Sequence, residues 1–75
     1  MYGQYTVKIK NEPVRTNNSA PKKMSSMEEV FDWYSRTIHL IPANFSEQYF
    51  TKSERQWQLI RPVGDCEMVV LELID

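Results

Sequence analysis

The chain predicts an α+β fold: one helix packed on a four-stranded, mostly antiparallel sheet, in the order β-α-β-β-β, with a long mobile loop after the first strand. Three observations carry this. Residues 5–10, YTVKIK, place Tyr5, Val7 and Ile9 in alternation with Thr6, Lys8 and Lys10, the period of two of a strand with one buried face. Residues 25–41 change to a helical period behind a serine pair. The last third of the chain holds three apolar runs separated by turn residues.

Residues 11–24, NEPVRTNNSAPKKM, follow the first strand with two prolines and a cluster of Asn, Thr and Ser. With almost nothing apolar to anchor it, this segment reads as a flexible basic loop. The helix opens with Ser25 or Ser26 as N-cap and Glu28 or Glu29 three residues on, the spacing of a capping box. Met27, Val30, Phe31, Tyr34, Ile38 and Ile41 recur at helical spacing and form the expected core face. Pro42 disfavours helical geometry at Ile41, so the helix should end there or one residue earlier.

Residues 48–52 (QYFTK) and 55–61 (RQWQLIR) read as two strands joined by a tight reverse turn, although a short helix suits residues 45–50 almost as well. Trp57, between Gln56 and Gln58, belongs on the core face of its strand. Gly64 supplies a residue free to take a positive φ in the next turn. Residues 67–75, EMVVLELID, form the last strand, with Val69, Leu71 and Leu73 on one face and Met68, Val70 and Ile74 on the other. A strand apolar on both sides is expected to be central or covered.

A single domain over residues 1–75 has a small core, worth on the order of 3–5 kcal/mol of net stability, which disfavours a deep polar active site. Cys66 is the only cysteine, so the chain forms no internal disulfide and no thiolate metal cluster. The N-terminus lacks the basic start and apolar run of a secretory signal, and no apolar run reaches the roughly 20 residues of a membrane span. A cytoplasmic protein without membrane contact is expected.

Catalytic and cofactor motifs are missing from the sequence. His39 is the only histidine and falls on the polar side of the helix, where it suits the negative end of the helix dipole. Neither an H-E-x-x-H nor a C-x-x-C spacing occurs, and two glycines cannot build a phosphate-cradling loop. Asp65 and Glu67 flank Cys66 and should raise its thiol pKa, away from nucleophilic chemistry. Glu28, Glu29 and Asp32 form a solvated acidic face on the helix. The expectation is a non-enzyme with no metal and no cofactor.

Charge is segregated. Residues 1–26 carry Lys8, Lys10, Arg15, Lys22 and Lys23 against Glu12, a net charge of +4. Residues 27–75 carry four cations against nine carboxylates, a net charge of −5, and the whole chain returns −1. Such asymmetry steers partners of one sign toward one end of the molecule.

Trp33 is the remaining oddity. At about 100° per residue it lies roughly 120° from the centre of the core stripe, with Leu40 almost beneath it and Arg36 beside it. Either the loop or the sheet edge covers this ridge, or Trp33 is an exposed anchor for another protein, since Trp and Arg are enriched at binding hot spots. The second reading makes Trp33, Arg36 and Leu40, with Arg15, Lys22 and Lys23 of the loop, the expected partner-binding residues. The expected function is that of a small protein-binding domain, plausible as a phage or mobile-element product that inhibits a host enzyme complex such as RNA polymerase or a CRISPR or other defence nuclease. The alternative is a nucleic-acid-binding accessory protein that uses the basic N-terminal region.

Overall fold

The computed structural model describes residues 1–37 and 47–75. The elements are β1 (Tyr2–Ile9), β2 (Arg15–Asn17), α1 (Met27–Thr37), a 3-10 turn (Glu47–Tyr49), β3 (Phe50–Lys52), β4 (Gln56–Leu59) and β5 (Cys66–Ile74). One helix lies on a sheet of order β2-β1-β5-β4-β3, and every neighbouring pair is antiparallel.

The sheet therefore has five strands, one more than expected. The extra strand, β2, arises inside the segment read as a loop, pairing Tyr5 with Asn17, Thr6 with Thr16 and Val7 with Arg15. An outermost strand of three residues needs no apolar alternation, because only its backbone is committed; hydrophobic periodicity carries no signal for it. Asn11, at a φ of 65°, makes the reversal out of β1, and the Glu12 amide donates to the Ile9 carbonyl at 3.0 Å. Further on, Ala20 and Met24 are buried, and the Met24 amide donates to the Met1 carbonyl at 2.7 Å.

α1 starts where its capping residues place it. Ser26 Oγ accepts from the Glu29 amide at 3.3 Å. The Glu29 carboxylate turns to the Ser25 hydroxyl instead of the cap's own amide, accepting at 2.7 Å, so both serines are used. Met27, Val30 and Tyr34 face the sheet as expected, while Ile38, Ile41 and the expected helix end lie outside the described residues.

The C-terminal strands follow their sequence signals. Val63 and Cys66 exchange both backbone hydrogen bonds at 3.0 Å around Gly64–Asp65. Gly64 takes a φ of 59° at the first central position, as a type II′ hairpin turn requires. Lys8 pairs with Met68 but Ile9 with Cys66, so Glu67 is the extra residue of a bulge. β5 occupies the middle of the sheet, and its Val69, Leu71 and Leu73 join Val7, Trp57 and Leu59 beneath the helix.

Candidate functional site

Five strands at about 4.8 Å spacing make a sheet of roughly 19 Å, wider than the 10–12 Å of a single helix with its side chains. A helix on so broad a floor meets neighbours over a wide arc, and its flanks must be filled. Phe31, half-buried, meets Phe50 edge-on at 5.5 Å and Trp57 at 5.0 Å on the β3–β4 side. On the β1 side the flank is filled by Trp33.

Trp33 is consequently not an exposed anchor. Only 6% of it is accessible, its ring lies 5.5 Å from that of Tyr5, and Gly3 and Met24 pack against it. A Cβ at Gly3 would stand 3.0 Å from Met24 Sδ and 3.1 Å from Trp33 Cε3, so the missing side chain lets the indole approach β1. The off-axis tryptophan is thus a core residue covered by the sheet and by the segment after β2. The expected hot spot loses its centre, and Leu40 and His39 lie outside the described residues.

The cationic members of the expected site remain at the surface. Arg36 is exposed and paired with Asp32 at 2.8 Å, one turn back on α1. Arg15 pairs with Glu12 at 2.8 Å, also in solvent. Lys22 and Lys23 are exposed on the segment that leads from β2 to α1. Arg36 belongs to the helix, and the other three belong to β2 and the segment after it.

Arg15, Lys22 and Lys23 do share one margin of the molecule. Arg15 lies opposite Val7, and Met24 is bonded to Met1, so residues 15–24 run back along the outer side of β1 for about 20 Å. Lys10 and Arg15 stand at one end of this margin and Lys22 and Lys23 at the other. Among the described residues, no ion pair engages Lys10, Lys22 or Lys23. Lys10 joins this margin only through the fold, as it sits past the end of β1 and its amide donates to the Asp65 carbonyl at 2.8 Å.

The titratable groups inside the core are inert. Burial, and not the flanking Asp65 and Glu67 as expected, pushes the Cys66 thiol up against an opposing contribution from the Met68 backbone, and Sγ donates to the Met68 carbonyl at 3.8 Å. Burial likewise raises the Tyr34 phenol well above the ordinary tyrosine range, helped by Cys66 and Tyr5 nearby. Both groups stay protonated and neutral at physiological pH. Among the described residues, no three His, Cys, Asp or Glu side chains come together as a metal site, and no helix is long and apolar enough to cross a membrane.

Open concavities mark the surface of the described residues. One, of about 440 Å³, is lined by Gln48, Tyr49, Ile60 and Arg61. Another, of about 370 Å³, runs from Ser25 and Ser26 to Lys52 and Trp57, with Lys52 Nζ 5.3 Å above the indole ring.

No protein-family model matches this chain, and no curated protein or solved structure matches it.

Proposed function

We propose that the chain is a non-enzymatic protein-binding domain that docks an acidic stretch of its partner along the basic margin formed by Lys10, Arg15, Lys22 and Lys23. The observation that supports this reading is the placement of Arg15 on the outermost strand of the sheet, with Lys10 before that strand and Lys22 and Lys23 on the segment after it. An edge strand also presents unpaired backbone N–H and C=O groups, so an extended acidic segment laid beside β2 would gain main-chain hydrogen bonds with charge complementarity. In this reading the partner is a host enzyme complex, such as RNA polymerase or a CRISPR or other defence nuclease, that a cytoplasmic phage or mobile-element protein inhibits by occupying one of its surfaces.

The test is charge reversal. Immobilised protein should retain one enzyme complex from host lysate and inhibit its purified activity, and Arg15→Glu/Lys22→Glu/Lys23→Glu should weaken that inhibition at least tenfold. Full inhibition by the triple variant would overturn the reading. Binding of DNA or RNA oligonucleotides with a steep loss of affinity in salt would replace it with the nucleic-acid alternative.

A further inference from the structure

The helix and the core occupy one face of the sheet, and no described element packs on the other. Its side chains follow from the strand registers. One row crosses all five strands: Thr16, Thr6, Val70, Gln58 and Thr51. The row on one side of it holds Lys8 and Met68, and the row on the other side holds Gln4, Glu72 and Gln56. Tyr2 and Ile74 lie beyond the second of these.

The outward residues of β1 and β4 are mostly polar, as a solvated sheet face requires. β5 breaks that rule with Met68, Val70 and Ile74, three of its four outward positions. Ile60, one residue past β4, is 58% exposed and continues the strand's alternation onto the same face. Apolar side chains therefore dominate the middle strand of this face, with Glu72 standing between Val70 and Ile74, and threonine and glutamine border them.

We infer that this face is the interface of a homodimer, two copies packing sheet against sheet. The occupant is identified by the arrangement of charge. Lys8 and Glu72 are the charged outward residues of the paired rows, opposite in sign and one row to either side of the central one. A two-fold axis along the central row exchanges the two flanking rows between copies. It thereby brings Lys8 of one copy over the row of the other that contains Glu72, one strand away, and does so twice by symmetry. Val70 of each copy meets its symmetry mate at the centre, an isologous contact. Like-charged residues are not brought face to face by this operation. Lys8 Nζ also donates to the carbonyls of Ile9 and Glu12, which leaves one of its three donors for the partner's carboxylate.

The area agrees with a reversible dimer. A face about 20 Å on each side removes on the order of 1,000 Å² in total from solvent, near the lower bound for a specific interface. This inference is independent of the basic margin, which lies at the edge of the sheet and stays open when the faces meet.

Sedimentation equilibrium of the full chain from about 5 to 500 μM checks it, with the monomer at 8.9 kDa. The weight-average mass should rise toward twice that value. Val70→Lys, an outward position without core contacts, should raise the dissociation constant at least tenfold with the far-ultraviolet spectrum unchanged. Glu72→Lys should do the same, and Lys8→Glu/Glu72→Lys should restore association, which a merely structural role for either residue would not produce. A monomer throughout the concentration range, or a dimer indifferent to both single changes, overturns the inference. The triple charge reversal at the margin should leave the mass unaltered, so the two readings fail separately.

Discussion

At the scale of single residues, the chain is governed by how a few side chains fill the flank between helix and β1. Trp33→Ala would remove an indole that is 6% exposed and leave Tyr5, Met24 and Gly3 around a void. It should cost about 3–5 kcal/mol, close to the whole stability of a domain of this size, and urea denaturation of a purified variant that barely folds would show it. Gly3→Ala tests the same contact from the other side. Its methyl would need Met24 and the Trp33 ring to give way, so a loss of about 1–3 kcal/mol is expected. Tyr34 adds a pH dependence. Its phenol stays neutral in the fold but ionises in the unfolded chain from its ordinary value of 10.0 upward. The stabilising difference is complete below that pH and is lost as pH rises beyond it. Thermal melts between pH 8 and 11 should therefore show a steeper alkaline decline for wild type than for Tyr34→Phe.

At the scale of elements, α1 and the segment before it stabilise one another. The Ser26 cap and the Ser25–Glu29 bond set where the helix begins, and Ser26→Ala should cost about 1 kcal/mol in a melt. The segment after β2 reaches that cap only by passing over Trp33, with Ala20 and Met24 buried on the way. Met24→Ala should uncover the indole. In a Trp57→Phe background, where Trp33 is the only tryptophan, its emission should shift to longer wavelength together with a loss of about 2–5 kcal/mol. An unshifted spectrum would mean that Met24 does not shield the ring. β2 is short and polar, and the hydrogen bonds that place it are those of its backbone, with Thr6 Oγ1 and Thr16 Oγ1 3.4 Å apart alongside.

At the scale of the whole molecule, charge and apolar surface are sorted onto different parts of one sheet. The helix side holds the aromatic core, the chain on the β2 side of β1 holds Arg15, Lys22 and Lys23, and the outward side of β5 holds Met68, Val70 and Ile74. Cys66 illustrates the difference between site and scaffold: it sits in the core with its thiol neutral. A thiol reagent should leave native protein unmodified and label it at the rate of unfolding, and Cys66→Ala should retain partner binding. Rapid labelling of native protein would place the sulfur at the surface.

What the sequence by itself determined is everything that depends on local pattern. The strand alternation of β1 and β4, the helical start at the serine pair, the Gly64 turn and the two-sided apolar character of β5 are all written in spacings of two, three or four residues, because backbone geometry repeats at those intervals. Tertiary structure alone decided what happens between elements. The fifth strand exists because β1 offers a free edge to a polar segment with no period of its own. Trp33 lies off the stripe yet in the core because five strands are wider than one helix, and because Gly3, thirty residues away in the chain, has no side chain to keep the indole off the sheet. The basic residues form a margin because residues 15–24 fold back along β1, a long-range pairing that no local spacing encodes.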